Sequence, residues 1–387
     1  MKLTKLMLSA SIAALAFVSC NKNEITPEAG SASPKTVEIS FENIVMTKGA
    51  AGNKISHNSP VKVNDLKLFL TDEAYSTSYN AWNETQTAAA KFFWSAEDLT
   101  SGLPAATFHY VDHKCNRIIA VANMGDISFD ALKAFTKEIA DQQDQNGLVL
   151  LDYAELMKTS KTHTTEKGKY TEVYEAELLL APAISRFELD GFSVSFSATP
   201  AYDKVEVVDV AFTHYYPTLA YSTASGVPAW LATGEHVKPV ADFANAALVY
   251  EWLGYETTTG WYRDSYKDQV VMTPDDPATA DVAENKADVP SPRAYHFFSG
   301  NVVPTMVIRL IVDGNPAYVY TDTFKDINGT TITNLEPGKI YRMSAAGVAS
   351  SSGTVDIPEE VLDPVSRCLD ITVDVVDWQV ELVTPEF

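Results

Sequence analysis

Cys20 stands at the end of MKLTKLMLSASIAALAFVSC, where Lys2 and Lys5 precede an apolar run from Leu6 to Val18, and Ser19 precedes the thiol. That layout is an export signal ending in a lipidation site. Cleavage before Cys20 leaves a thiol and a new amino group for acylation, and several buried chains at ~0.8 kcal/mol per CH2 hold a protein on a membrane. The apolar run falls short of the ~20 residues a permanent span needs. An ordinary secretory signal is the alternative. A second chemistry is offered by Lys48, with Lys54 as second choice, in the small-residue stretch MTKGAAGNK. A peptide bond after lysine in such a segment suits a trypsin-like protease, the alternative being an ordinary loop between strands.

Other reactive groupings lead nowhere catalytic. His109, His113 and Cys115 (FHYVDHKC) form a His/Cys cluster, but on a strand the two histidines lie about 13 Å apart, too far to share one ion. They read as strand and turn residues. Tyr262 to Pro292 looks like a long surface insertion holding Asp275-Asp276-Pro277 and Asp281. It lacks the Asp-x-Asp-x-Asp-Gly spacing of a chelating turn. There is no Gly-rich phosphate loop, no Gly-x-Ser-x-Gly elbow and no His-Glu-x-x-His helix. The expectation is a chain without catalytic residues, bound metal or cofactor. Tyr250, Trp252, Tyr255, Trp261, Tyr262 and Tyr266 cluster in YEWLGYETTTGWYRDSY. Such aromatics either fill a core or interface or stack on sugar rings, and the second option keeps open a surface glycan-binding lipoprotein.

The chain has 387 residues, 46% of them apolar, which is enough for about two domains with real cores. Its formal charge is -22, from 51 acidic and 29 basic side chains without a basic patch. Nucleic acids and anionic lipid surfaces are therefore poor partners. With Cys20 consumed by lipid, Cys115 and Cys368 remain: one bridge at most, or two buried small hydrophobes.

Positioning elements are mostly strands. After a polar tether, Asn21 to Thr36, the residues Val37, Ile39, Phe41 and Val45 keep a period of two and predict a half-buried strand. Further strand-like runs cover Val61 to Leu70, Lys91 to Trp94, Thr107 to Val111, Asn116 to Asn123 and Glu172 to Leu180. Helices are predicted only over Asp130 to Asp144 and Asp152 to Lys158. A boundary near Pro182 precedes a second half built from similar short runs, namely Ile184 to Leu189, Phe192 to Phe196, Val205 to Thr213, Ala294 to Phe298, Thr305 to Val312, Ala317 to Thr321 and Lys339 to Ala345. The pattern predicts an all-β chain of two β-sandwiches with a few short helices. At the C-terminus Leu369, Ile371, Val373 and Val375 alternate with polar residues until the doublet Val375-Val376 shifts the phase. Val376, Trp378, Val380 and Leu382 then carry the apolar side, so a bulge or a transfer between sheets is expected at the doublet.

Taken in order, the lipoprotein start, the strand followed by Met46-Thr47-Lys48-Gly49-Ala50, Val121-Ala122-Asn123-Met124-Gly125, Ile184-Ser185-Arg186-Phe187, Leu335-Glu336-Pro337-Gly338-Lys339-Ile340-Tyr341 and the ending with Asp377-Trp378 resemble the fimbrillins of Bacteroidales type V pili. The similarity runs along essentially the whole chain and is closest to major or stalk subunits. It implies two transthyretin-like β-sandwich domains, export to the outer membrane as a lipoprotein, and removal of the first strand by an arginine- or lysine-specific protease. A C-terminal strand of another subunit would then fill the vacated groove. On this chain it implies a signal peptide over 1–19, a lipidated propeptide over 20–48, an N-terminal domain over 49–182 and a C-terminal domain over 183–387 ending in a donor-type strand at about 369–387. The cut would follow Lys48, where many relatives have arginine. Val37, Ile39, Phe41 and Val45 would belong to the removable strand; Val376, Trp378, Val380 and Leu382 would form the donor. Partners would be other copies of the chain and other fimbrial subunits, first at the outer membrane and later in an extracellular fimbrium. Tip and anchor membership of the same pilus are the variants of this reading. Contact between unlike surfaces, head to tail, builds an open filament.

Overall fold

A computed structural model of the chain describes residues 34–41, 44–47, 60–100, 106–142, 147–164, 170–195, 202–235, 237, 253–256, 261–276, 285–300, 302–326, 328–343, 354–356, 368–372, 374–377 and 380–383. The protein is all-β: the described residues form several sheets with two short α-helices, Ala96–Leu99 and Phe129–Lys133, and one 3-10 turn, Ile139–Gln142. Two larger sheets come from the first half. One orders Met157–Thr164, Tyr170–Leu178, Lys35–Phe41 and Ala106–Val111; the other runs from Ala181–Pro182 through Leu150–Glu155, Arg117–Ala122 and Leu66–Thr71 to Ser78–Tyr79, with Phe93–Trp94 also on Leu66–Thr71. The second half supplies a sheet centred on Ile184–Ser195 and one centred on Val205–Thr213. Rings from these two sheets meet across the core, Phe187 lying 5.2 Å from Phe212 and Tyr262 5.6 Å from Tyr295.

Several segments depart from the local pattern, each for a tertiary reason. The expected strand from Val37 to Val45 is two strands in different sheets, Lys35–Phe41 and Ile44–Thr47. In the sequence, the polar Asn43 falls where the period of two set by Val37, Ile39 and Phe41 would call for an apolar residue. The helix expected over Asp130 to Asp144 stops at Lys133, although Ser128 caps its start by accepting from the Ala131 amide. Thr136–Glu138 instead pairs antiparallel with Thr218–Ser222, and Phe135 packs 5.6 Å from the Trp230 ring. Pairing with a distant strand outweighs the helical spacing of Leu132, Phe135 and Ile139. Likewise Asp152 to Lys158 is strand: Leu150–Glu155 lies antiparallel to the buried Arg117–Ala122 and leads into Met157–Thr164.

The region from Tyr262 to Pro292, expected as a surface insertion, is largely two long strands, Trp261–Met272 and Lys286–Phe298, in the two sheets of the second half. Its Tyr262, Tyr266, Val270 and Met272 are core residues, while the intervening Lys267, Asp268 and Gln269 are exposed and disguise the strand.

The segments on which the resemblance to fimbrillins rests have identifiable structural roles. Asn123, at φ 60°, donates to the carbonyls of Lys62 and Leu148, both at 2.7 Å, and accepts from the Asn64 amide at 2.7 Å. It thereby fixes the Val61–Val63 strand. Arg186 is buried beside Glu188 (2.9 Å), whose other oxygen accepts from Arg342 at 2.8 and 2.9 Å. Burial holds the Arg186 guanidinium below its usual pKa. Tyr341 accepts from the Glu336 amide at 2.8 Å and closes the turn before its own strand; at that turn Gly338 adopts φ 74°, which a side chain would strain.

Candidate functional site

The leading strand, Lys35–Phe41, is an interior strand although it lies near one chain end. It runs parallel to Tyr170–Leu178 on one side and antiparallel to Ala106–Val111 on the other. Val37 stands opposite Tyr174 and Phe108, and Ile39 opposite Ala176 and Ala106. Val37 is fully buried and Ile39 nearly so, while Phe41 is half-buried against the same core. At ~1.5–3 kcal/mol per fully buried apolar side chain, Val37 and Ile39 together contribute roughly 3–6 kcal/mol, and Phe41 adds part of another such increment. Those figures are upper bounds because unfolded chains bury some surface.

Polar contacts hold the start of this strand. The buried Lys35 donates to the Cys115 carbonyl at 2.8 Å, and its ammonium sits 4.3 Å from the centre of the Tyr174 ring. Burial lowers the Lys35 pKa, opposed by the nearby Cys115, Glu172 and Asp112. Thr36 Oγ1 lies 2.7 Å from Thr171 Oγ1 and 3.5 Å from His109 Nδ1. The His109 ring packs 4.7 Å from that of His163, which in turn lies 3.5 Å from Glu84. Burial, reinforced by His163, holds His109 below the ordinary imidazole range. The outward face is held loosely. Glu38 pairs with Lys161 (3.1 Å), which also meets Glu175, and exposed pairs of this kind contribute ~0–1 kcal/mol. Glu38, Ile39 and Ser40 help line an open cleft of about 770 Å³, together with Glu155, Met157 and Glu175.

A second feature joins the two ends of the chain. Ile44–Thr47 pairs in parallel with Val380–Val383, Ile44 opposite Val380 and Thr47 opposite Val383. The other edge of Val380–Val383 pairs in parallel with Val61–Val63. The terminal strand is thus the middle member of a three-stranded sheet, flanked on both sides by N-terminal segments.

The C-terminal stretch consists of three strands in three sheets. Cys368–Thr372 pairs with Asn315–Lys325, Asp374–Asp377 with Lys339–Met343, and Val380–Val383 with the N-terminal segments. The doublet Val375-Val376 lies inside the middle strand, opposite Tyr341 and Ile340, and the sheet changes fall on either side of it. This corrects the single break expected at the doublet. Of the proposed donor residues, Val376 sits in the middle strand and Val380 and Leu382 in the last. Trp378 lies outside the described residues, as do Cys20, Lys48 and Lys54. Val45 belongs to Ile44–Thr47, so the proposed removable residues are divided between two sheets.

The remaining candidates resolve as structural groups. His109 is buried in Ala106–Val111, His113 lies in the following turn 3.3 Å from Asp112, and Cys115 is a buried free thiol pushed up to about 12 by burial. Among the described residues no set of three His, Cys, Asp or Glu side chains could hold a metal ion. From the aromatic cluster, Tyr262 and Tyr266 are core residues, and Tyr266 is stacked edge-on against Phe192 at 5.7 Å. Tyr255 and Trp261 lie on paired strands, and Tyr250 and Trp252 lie outside the described residues. Sequence reasoning missed Lys35, Thr36, His163 and Thr171 as anchors of the leading strand. The signal lay in the polar residues opening that strand, which look like tether until their buried partners are known.

No protein-family model and no curated protein matches the chain. Among solved structures it is similar to a proposed cell adhesion protein from Parabacteroides distasonis, at 14% identity over 90% of this chain and 98% of that one, with a TM-score of 0.48. A fimbrilin from Porphyromonas gingivalis is similar at 10% identity over 90% of this chain and 99% of that one, with a TM-score of 0.45. The tip fimbrial protein Mfa3 from Porphyromonas gingivalis is similar at 9% identity over 89% of this chain and 99% of that one, with a TM-score of 0.37.

Proposed function

We propose that this chain is a non-enzymatic structural subunit of a type V fimbria, exported as an outer-membrane lipoprotein and polymerised by strand exchange after proteolysis. One observation carries the reading. A buried interior strand, Lys35–Phe41, occurs just ahead of Lys48 in a chain whose other end is built of short apolar strands. Loss of that strand would expose apolar surface together with two unpaired ladders, on Ala106–Val111 and on Tyr170–Leu178. A groove of this kind captures an extended segment from another chain. The same reading assigns residues 49–182 and 183–387 to two domains, Cys20 to the lipid, and Lys48 to the processing protease, with Lys54 as second choice.

Lysine at position 35 also favours a cut farther along: its ammonium is engaged with the Cys115 carbonyl and its backbone is paired on both sides, so a protease cannot fit it without unfolding the sheet. The test is limited digestion with trypsin, followed by N-terminal sequencing and electron microscopy. A product beginning at Gly49 that forms filaments supports the proposal. Deletion beyond Val375, or Trp378→Asp, is expected to leave the cut product monomeric. Filaments formed equally well by both variants would overturn strand exchange, and surface filaments whose subunits retain Cys20 would identify an anchor instead.

A further inference from the structure

We infer that Ile44–Thr47 is a latch that keeps the terminal strand parked on its own subunit, so that one proteolytic cut arms the chain both as acceptor and as donor. This rests on the strand-exchange reading and extends it. The terminal strand Val380–Val383 has two partners of unequal permanence. Val61–Val63 lies beyond Lys48 and Lys54 and is tied down by Asn123, which bonds the Lys62 carbonyl and the Asn64 amide. The other partner, Ile44–Thr47, ends immediately before Lys48 and shares a segment with the leading strand.

In the uncut chain the terminal strand has both edges paired and cannot join another sheet. A cut after Lys48 turns the latch into a chain end of four paired residues, two residues away from the leading strand. Chain ends held by so short a ladder fray readily. Its loss leaves the terminal strand with one free edge and a single three-residue ladder to Val61–Val63. Hence the uncut chain is silent in both roles, which suits a subunit that must cross the periplasm beside identical copies.

Hydrogen exchange on the full chain tests the latch directly. Amides of residues 380–383 are expected to be protected before cutting and to exchange at least about tenfold faster immediately after trypsin, in the cut subunit that has not yet polymerised. The uncut double variant Val45→Pro/Met46→Pro, which removes ladder amides whichever way each one points, is expected to show the same acceleration while residues 35–41 stay protected. In a mixing assay, labelled uncut V45P/M46P chains are expected to add to cut subunits, whereas labelled uncut wild-type chains remain outside the polymer. Equal protection of 380–383 in all three forms, or equal incorporation of the two uncut chains, overturns the latch. Faster exchange after cutting without any filament leaves the latch standing and removes the polymerisation reading, so the two failures are distinguishable.

Discussion

Ile39→Ala offers a quantitative probe of how the leading strand is retained. Ile39 is 6% exposed and lies between Ala106 and Ala176, two small neighbours whose own side chains cannot swing in to fill a void. Truncating a buried isoleucine to alanine costs ~2–5 kcal/mol, and the poor capacity of this site to collapse favours the upper part of the range. At 1.4 kcal/mol per tenfold, retention of the cut leading segment should weaken about 30- to 4,000-fold. Ser40→Ala, one residue away on the exposed face, should change it by less than about 0.5 kcal/mol. The assay labels the chain ahead of Lys35, cuts it with trypsin, dilutes it, and follows release of the label by fluorescence anisotropy. Polymerisation lag should shorten in parallel. Release rates for I39A and S40A within about twofold of each other would refute the premise that burial of this strand limits groove opening.

Acidification should loosen the same strand. His109 titrates below its unfolded value of ~6.5, so the stability it contributes is complete above that pH and declines as pH falls through the lowered folded value. The groups facing it are His163, Glu84, Glu38 and the Thr36 hydroxyl. Faster release of the cut segment near pH 5.5 than at pH 7.5, abolished in His109→Gln, is the expected result. Asp209 behaves oppositely: burial raises it to about 6 against the pull of Arg309 and Arg263, so its contribution grows as pH falls from 6 toward 4, and Asp209→Asn should remove that part of the pH dependence of global unfolding. Glu188→Ala takes away the carboxylate between the buried Arg186 and Arg342 and should cost ~3–5 kcal/mol in chemical denaturation. Asn123→Ala should cost ~1–3 kcal/mol and raise hydrogen exchange in residues 61–63. Cys115 should resist iodoacetamide at pH 8 until the protein is unfolded, since its thiol is buried and pushed up to about 12.

How far the sequence alone could go is clearest where local pattern and tertiary pairing compete. Val37, Ile39 and Phe41 announce their strand because one face is buried and the other wet, and that asymmetry is what period two records. Trp261–Met272 is hidden because three exposed polar residues follow five buried ones, two of which are the charged Arg263 and Asp264. Phe135 and Ile139 keep helical spacing by coincidence, Phe135 being placed against the Trp230 ring outside any helix and Ile139 at the start of a separate 3-10 turn. Partner choice was the least legible quantity. Nothing local to Ile44–Thr47 or Val380–Val383 says that they meet across more than three hundred residues, because a parallel ladder between two short apolar segments leaves no mark on either sequence.

The two unlike walls of the leading strand bear on the polarity of any assembly built through that groove. One wall is parallel to the strand and the other antiparallel, so a peptide inserted backwards would still find one ladder of each kind. Backbone hydrogen bonding therefore gives almost no preference for direction. Orientation must come from the sockets that Val37 and Ile39 fill and from the route by which an incoming chain reaches them. A synthetic peptide with reversed sequence would test those sockets alone, and an inhibitor of assembly need respect only their spacing.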